Sequence, residues 1–163
     1  MAHPVCPSLG DVLEESARAL DIPVHRGGTY LVMEGPQFST KAESELYRSW
    51  GCAVIGMTNM PEAKLAREAE MHYATVAMVT DYDCWHPAHD HVTVDAVVKV
   101  MTENAARARA LVRHAVPRVA ALGPCKLRCD LALDAAVITA PAARDPGLMA
   151  RLDAVARRVI AGG

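Results

Sequence analysis

The sequence predicts an α/β fold with a mixed or parallel central sheet flanked by helices. Three apolar, strand-like segments alternate with helical segments along the first half of the chain. Their connections are short, which favours right-handed crossovers and parallel pairing of the strands. The second segment, Cys52–Met57, is almost wholly apolar, which is typical of a strand that helices cover on both faces.

The helices and strands are predicted from hydrophobic periodicity. Apolar residues recur at helical spacing in some segments, and β-branched or apolar residues fill others that lie between turn residues. The predicted elements in order are helix 8–20, strand 28–34, helix 40–50, strand 52–57, helix 61–69, strand 73–79, helix 94–116, helix 126–138 and helix 148–160.

Local signals mark the element boundaries. Ser8 with Asp11, and Thr40 with Glu43, have the spacing of capping boxes, and Pro61 suits the first position of a helix. The expected stop signals are Asp21-Ile-Pro23, Gly35-Pro36, Gly51, Pro117 and Gly123-Pro124, and Thr93 is the expected cap of the long helix.

The composition is that of a globular protein. Its 163 residues are 52% hydrophobic and 22% charged, and a net charge of −2 gives no reason to expect nucleic acid or a membrane surface as a partner. The five cysteines are scattered, which suits reduced thiols in the cytoplasm better than a disulfide framework. We expect one domain over residues 1–163, with residues 117–163 as its helical tail.

Three segments should end at the same edge of the predicted sheet: Glu34–Thr40, Ile55–Glu62 and Val79–Asp83. Ligands of open α/β sheets bind at the carboxyl ends of the strands. The side chains offered there suit a planar heterocycle and an anion: Phe38, Ser39, Met57, Thr58, Asp81 and Asp83. An aspartate after a strand is also a common turn residue, and for Asp81 taken alone that structural interpretation is favoured.

Three motifs resemble the purine nucleoside phosphorylase family and, within it, the methylthioadenosine phosphorylase branch. They are Glu34-Gly-Pro-Gln-Phe-Ser-Thr, Gly56-Met-Thr-Asn-Met-Pro-Glu-Ala and Thr80-Asp-Tyr-Asp-Cys-Trp. The resemblance covers residues 1 to about 116 and is looser after Pro117. It implies that family's fold, with this chain corresponding to its C-terminal half and the N-terminal half missing.

The resemblance also implies a reaction. Phosphate would attack C1′ of 5′-methylthioadenosine as the bond to N9 breaks, giving adenine and 5-methylthioribose 1-phosphate. It implies a glycosyltransferase of purine and methionine salvage that is cytoplasmic and homotrimeric. Its small-molecule partners would be the nucleoside and inorganic phosphate as co-substrate, with no cofactor and no resident metal.

The resemblance implies site roles residue by residue. Asp81 would hold purine N7 and act as general acid, Asp83 would bind the exocyclic amine, Phe38 would lie against the purine, Met57 would pack under the ribose, and Thr58 would bind phosphate. The other implied substrate-binding residues are Ser39, Ile55, Gly56, Thr80, Tyr82, Val94 and Val97.

Two positions imply adenine specificity. The related 6-oxopurine enzymes carry Glu where this chain has Ser39 and Asn where it has Asp81, and a carboxylate accepts from an amine but repels a carbonyl oxygen. Val94 and Val97 would form an apolar pocket for the methylthio group, although ordinary core valines are an equally good interpretation of their spacing.

Two departures leave alternatives open. The family's Gly-rich phosphate loop and Arg-His clamp are not found in these 163 residues, so we expect the isolated chain to be inactive or badly impaired. One alternative is a non-catalytic adenine-nucleoside-binding fragment. The other is a zinc-dependent hydrolase that uses His86, His89 and His91. Cys125 and Cys129, with no second pair, are interpreted as two thiols on one helix face.

Overall fold

The computed structural model describes residues 1–86 and 94–160, except for the side chains of Val94, Ala96 and Val97. Its regular elements in chain order are α1 Pro7–Ala19, β1 Thr29–Val32, α2 Lys41–Ser49, β2 Cys52–Gly56, α3 Asn59–Glu68, α4 Val94–Ala120 and α5 Pro146–Ile160. Short 3₁₀ helices lie at Asp83–Trp85, Cys129–Leu131 and Pro141–Ala143. No described helix combines the length and apolarity needed to cross a membrane.

The two strands pair in parallel, so the predicted α/β class and strand direction are confirmed. The ladder runs from Thr29 opposite Cys52 to Val32 opposite Gly56. The side chains of β2 are mostly half-buried and Ala53 is exposed, so the expectation that β2 is buried on both faces is wrong. Among the described residues β2 has a ladder with β1 alone, and such a narrow sheet offers little enclosed surface.

A reciprocal cap begins α2, as the sequence predicts. The Thr40 hydroxyl accepts from the Glu43 backbone N–H at 3.3 Å, and the Glu43 carboxylate accepts from the Thr40 backbone N–H at 2.7 Å. The hydrogen bonds from the Thr40 N–H and hydroxyl lower the pKa of Glu43. Gly51 follows with a φ of 78°, a left-handed conformation that glycine adopts at little cost, and it ends the helix.

The first helix begins slightly earlier than predicted. Its first residue is Pro7, and the Cys6 carbonyl accepts from the Gly10 N–H at 3.1 Å, so Ser8 lies inside the helix instead of capping it. Proline suits this first position because its missing N–H would have no partner within the helix. The predicted helices at residues 61–69 and 148–160 are confirmed within a few residues as α3 and α5.

Three further predictions are wrong. Residues 73–79 pair with no described strand, and β-propensity alone does not make a strand. Instead of a helix at 126–138, the chain forms one 3₁₀ turn and irregular turns, with Arg128 left-handed at a φ of 47°. Pro117 does not stop α4, which continues to Ala120. A proline removes one backbone donor, and the surrounding Ala- and Arg-rich sequence favours the helix.

The chain divides into two compact units. The sheet unit comprises Asp11–Met60 and Thr75–Ala121, and it contains both strands. The cysteine unit comprises Met1–Gly10, Pro61–Ala74 and Leu122–Gly163. Its buried cluster is formed by three cysteines, against which two leucines pack: Cys6, Cys125, Cys129, Leu9 and Leu127. The prediction of a single domain with a helical tail from residue 117 stays a prediction.

Candidate functional site

The carboxyl ends of β1 and β2 meet at one edge of the sheet unit. The ladder continues past β1, since the Met33 N–H donates to the Gly56 carbonyl at 2.9 Å. Gly35 has a φ of 71°, and a Cβ there would lie 2.6 Å from the Met57 sulfur. The Met57 thioether therefore packs directly over Gly35, whose positive φ favours glycine. This contact joins the loop after β1 to the loop after β2, and within the first loop the Ser39 hydroxyl lies 3.5 Å from the Met33 sulfur.

The third predicted segment, Val79–Asp83, lies in the same unit, and its last residue contacts α2. The Ser44 hydroxyl, on a residue only 2% exposed, donates to Asp83 Oδ2 at 2.6 Å. The Cys84 thiol lies 3.9 Å from the Ser39 carbonyl oxygen. The Arg48 guanidinium stacks 3.6 Å from the centre of the Trp85 ring. These contacts place the second carboxylate beside the loop that carries Phe38 and Ser39.

Asp81 forms a local turn. Its Oδ1 accepts from the Asp83 N–H at 2.8 Å, and its Oδ2 accepts from the Thr80 hydroxyl at 2.7 Å. Asp83 has a φ of 59°, a left-handed conformation that Asp tolerates better than most residues. The structural interpretation of Asp81 as a turn residue is therefore correct, and its exposed carboxylate remains open to solvent as well.

The remaining predicted residues are exposed or half-buried. Phe38 is 86% exposed and Tyr82 is 57% exposed, so both aromatic faces are accessible. Thr58 is exposed one residue before α3. Ile55 and Gly56 end β2, and the Tyr30 hydroxyl lies directly over Gly56, where it leaves no room for a Cβ.

Ser44, Asn59 and Asn104 support this edge, and the sequence pattern did not predict any of the three. Asn59, buried at the start of α3, accepts from the Thr75 hydroxyl, and the Asn104 amide donates to the Val79 carbonyl at 3.0 Å. Ser44 lies among charged residues of a short helix, and no periodic pattern distinguishes it. The capping box four residues earlier orients the helix, and it was the one available signal.

Several hypotheses drawn from the sequence concern residues outside the described part of the chain. The side chains of Val94 and Val97, the cap Thr93 and the histidines His89 and His91 all lie outside it. His86 is described, and its ring packs 4.9 Å from that of Tyr82 and 5.2 Å from that of Trp85. The alternative of a zinc-dependent hydrolase at this loop stays a prediction.

Sequence comparison gives this geometry a family context. A profile described as the phosphorylase superfamily matches residues 1–117, which is most of the chain. The chain belongs to this superfamily. The resemblance predicted from the three motifs is thereby confirmed, and the edge built by β1, β2 and residues 80–85 lies within the matched range.

Curated superfamily members are similar along almost the whole chain. The S-methyl-5'-thioadenosine phosphorylase of Cereibacter sphaeroides is 60% identical over 163 residues, which cover 99% of this chain and 56% of that protein. The enzyme of the same name from Rhodospirillum rubrum is 62% identical over 162 residues, 98% of this chain and 55% of that protein. The chain thus spans about half the length of the curated relatives it matches.

Solved structures of methylthioadenosine phosphorylases are also similar to this chain. A methylthioadenosine phosphorylase from an antarctic soil metagenomic library superposes with a TM-score of 0.87 at 42% identity, over 95% of this chain and 55% of that one. The methylthioadenosine phosphorylase from Schistosoma mansoni, solved in complex with adenine, gives a TM-score of 0.71 at 30% identity, over 82% and 52%. The superfamily fold predicted from the sequence is confirmed.

Proposed function

We propose that the protein catalyses phosphorolysis of 5′-methylthioadenosine and that this chain supplies its purine-binding surface. The observation that carries the proposal is the pair of carboxylates Asp81 and Asp83, held at the strand edge by hydrogen bonds from Thr80, Ser44 and the backbone. This pair occurs in a chain 60% identical to a curated methylthioadenosine phosphorylase. Carboxylates accept hydrogen bonds from an amine and repel a carbonyl oxygen, which favours adenine over 6-oxopurines.

Each carboxylate has its own role in this proposal. Asp83 uses Oδ2 to accept from Ser44, and Oδ1 accepts from the exocyclic amine of the base. Asp81 faces N7. As the bond between C1′ and N9 breaks, negative charge builds on the leaving purine; in this proposal Asp81 is a neutral carboxylic acid in the reactive complex, donates its proton to N7 and is left as a carboxylate. Ser39 and Phe38 bound the base on its other side, where Phe38 offers an exposed ring for stacking.

The sugar and phosphate are held by the other two connections. The Met57 thioether packs under the ribose, with Ile55 and Gly56 lining the end of β2. Thr58 binds phosphate just before α3, where free backbone N–H groups and the helix dipole favour an anion. Thr80 and Tyr82 border the base, and the assignment of Val94 and Val97 to the methylthio group rests on the resemblance of the sequence alone, since their side chains lie outside the described part of the chain.

The wider biology belongs to the same proposal. The nucleoside and inorganic phosphate are the substrates, no cofactor takes part, and the enzyme serves purine and methionine salvage as a cytoplasmic homotrimer. Neither nucleic acid nor a membrane is a partner. Because the 163 residues contain just one of the proposed phosphate contacts, Thr58, we expect the isolated chain to bind nucleoside but to turn it over slowly or not at all.

Nucleoside selectivity tests the proposal directly. Calorimetric titration of the 163-residue chain should show methylthioadenosine binding at least ~10-fold more tightly than methylthioinosine, a difference of about 1.4 kcal/mol. The two ligands differ at the group that Asp83 would contact. Equal affinities would contradict the roles of the carboxylates, and failure of both ligands to bind would refute the purine site on this chain.

Product analysis separates the reaction from its alternatives. Adenine release that requires phosphate and yields 5-methylthioribose 1-phosphate supports phosphorolysis, and adenine release independent of phosphate contradicts it. Selective binding without turnover favours the second candidate, an adenine-nucleoside-binding fragment. The observation behind that candidate is that the chain spans about half the length of its relatives.

A further inference from the structure

Four potential metal ligands converge inside the cysteine unit. The Cys6 sulfur lies 3.3 Å from His72 Nδ1 and 3.3 Å from the Cys125 sulfur, and the Cys125 sulfur lies 3.2 Å from that of Cys129. All four donor atoms lie within 4.8 Å of one another. They come from three stretches of chain, since Cys6 is separated by 66 positions from His72 and by 119 from Cys125. None of the proposed nucleoside-binding residues belongs to this group.

We infer that Cys6, His72, Cys125 and Cys129 form a structural zinc site. A zinc ion takes four ligands in a tetrahedron, and three cysteines with one histidine are an established structural set. Zinc–sulfur bonds of about 2.3 Å give a tetrahedron with sulfur–sulfur edges of about 3.8 Å. The observed separations, from 3.2 Å to at most 4.8 Å, bracket that edge, so changes of no more than about 1 Å in these separations would complete the shell.

A backbone turn brings the sulfurs of Cys125 and Cys129 close together. The Arg128 N–H donates to the Cys125 carbonyl at 2.8 Å, and Arg128 itself is left-handed. This turn brings the Cys125 and Cys129 sulfurs together without a helix. The Cys6 N–H donates to the Tyr73 carbonyl at 2.7 Å, which places Cys6 beside the residue that follows His72. Both pairs of ligands are thus fixed by backbone contacts.

Backbone donors surround the sulfurs as they do in zinc–thiolate sites. The Leu127 N–H donates to the Cys125 sulfur at 3.3 Å, and the Leu9 N–H donates to the Cys6 sulfur at 3.5 Å. Such contacts orient ligands and reduce the charge on thiolates. The three cysteines are at most 3% exposed, and Leu9 and Leu127 pack against them. The shell is dry on the sulfur side, while His72 is half-buried and gives the ion a route from solvent.

A disulfide and a purely apolar thiol cluster are the competing interpretations. A disulfide would use two of the three sulfurs and would leave the third and His72 Nδ1 without a role. Buried thiols can pack as small apolar groups, but apolar packing does not explain two backbone N–H groups and one imidazole nitrogen directed at the sulfurs. Zinc uses all four ligands at once.

Metal content of the purified 163-residue chain tests the inference, independently of any enzymatic activity. After expression in zinc-supplemented medium and removal of loose metal, elemental analysis should find close to one zinc per chain. Replacement by Co²⁺ should produce the thiolate-to-metal charge-transfer and visible bands of a tetrahedral cobalt site. Absence of tight zinc binding, or an intact mass lower by two hydrogens from a disulfide, would overturn the inference.

Variants identify the ligands. Cys129→Ser and His72→Ala should each weaken zinc affinity by more than about 100-fold, beyond the loss seen when only a supporting contact is removed. The matched control is Cys52→Ser, which removes a half-buried thiol of β2 and should leave the zinc content at one. Unchanged zinc binding in both ligand variants would refute the assignment. Because the cobalt spectrum is measured on the unaltered chain, it decides the question even where a variant fails to fold.

Discussion

At the scale of single residues, the orientation of the Asp83 carboxylate depends on Ser44, a residue with no proposed role in binding or catalysis. Ser44 is buried on α2 and donates to one carboxylate oxygen of Asp83, while the backbone N–H of Asp83 is held by Asp81. A left-handed backbone at Asp83 is maintained by these two bonds. The carboxylate is therefore held in one orientation, and under the proposed function this would reduce the entropy cost of binding the nucleoside.

Substituting Asp83 should change which base is preferred. In Asp83→Asn the amide can donate to a carbonyl oxygen. The affinity for methylthioinosine relative to that for methylthioadenosine should therefore rise about 10-fold, roughly 1.4 kcal/mol in relative binding free energy. Isothermal titration with both nucleosides measures this ratio.

Ser44→Ala is the matched control for that change. It removes the orienting hydroxyl but leaves the carboxylate, so both nucleosides should bind more weakly while their ratio stays close to that of the unaltered chain. A ratio that changes equally in the two variants would show that Asp83 does not contact the base.

Glu70 should make stability depend on pH. Hydrogen bonds from Arg158 lower the pKa of Glu70 below its usual 4.5. Arg158 Nε donates to it at 2.6 Å, the Leu133 N–H donates to it at 2.9 Å, and the Glu70 side chain is only 10% exposed. A carboxylate whose pKa is lowered by folding stabilises the native state above its unfolded pKa and loses that effect as pH falls through the folded value.

The Glu70→Gln variant should therefore unfold more easily than the parent at pH 7, and the difference should fade below about pH 4.5 as the parent's Glu70 becomes protonated. Urea titrations across this range measure it. Glu68→Gln, at an exposed position of α3, should show little difference at either end. A deficit in Glu70→Gln that stays constant with pH would rule out the carboxylate charge as its origin.

At the scale of elements, what the sequence predicted correctly was local. The capping box of α2 acts over three residues, and Gly51 ends that helix through its own backbone conformation. A stretch of four or five residues is therefore enough to predict each of these features. The strand at 73–79 needed a distant pairing partner, which no local pattern encodes. The predicted helix at 126–138 was wrong for a related reason. The turn at Arg128 lies between Cys125 and Cys129, which pack in a buried cluster with the distant Cys6, and no local pattern encodes that packing.

The candidate site also contains some residues that local signals predict and others that depend on distant contacts. Met57 and Thr58 follow the end of β2, as the sequence predicts, whereas Asp81 and Asp83 follow a segment that is not a strand, and the placement of all four residues in one site stays a prediction. Ser44 supports Asp83 from 39 residues away, and Asn104 holds Val79 from 25 residues away. Such contacts are set by how α2 and α4 pack, and the spacing of residues in the sequence does not reveal them.

The entry to β1 should be intolerant of a side chain at one glycine. Gly28 has a φ of 112°, and a Cβ there would lie 2.7 Å from the Ala53 Cβ of the paired strand. Gly28→Ala should therefore lower the free energy of unfolding by about 1–3 kcal/mol through overpacking, in addition to backbone strain. Denaturant unfolding measures this loss.

Gly27 provides the comparison. Its φ is 82° but no atom lies within 4 Å of the position of a Cβ, so Gly27→Ala should cost about 1 kcal/mol from backbone strain alone. The difference between the two variants isolates the contact with Ala53. Equal costs would mean that β1 and β2 can separate to admit a methyl group.

At the scale of the whole chain, many large apolar side chains are in contact with solvent. On α5, Leu148, Leu152 and Val155 are 50%, 44% and 45% exposed, and on α4, Val112 and Val116 are each 58% exposed. On each helix these residues are three or four positions apart and so share one face, and an exposed apolar face promotes association. The hydrophobic faces that the sequence predicts are present in the helices, but within this chain they are only partly covered.

The isolated chain should therefore bind a hydrophobic dye such as anilinonaphthalene sulfonate at neutral pH and should self-associate as its concentration rises. Leu152→Gln should reduce both effects and change the free energy of unfolding by no more than about 0.5 kcal/mol, as expected of a surface substitution. Dye fluorescence and light scattering measure the first two. A large loss of stability in this variant would show that Leu152 is a core residue after all.

Phe38 gives the chain a built-in reporter. It is the single phenylalanine among 163 residues, and its ring is 86% exposed on the loop beside Ser39. Biosynthetic incorporation of fluorophenylalanine would thus place one fluorine nucleus in the protein, at the candidate site and nowhere else. One resonance would then follow occupancy of the purine position by chemical shift, free of overlap and without any substitution of a site residue.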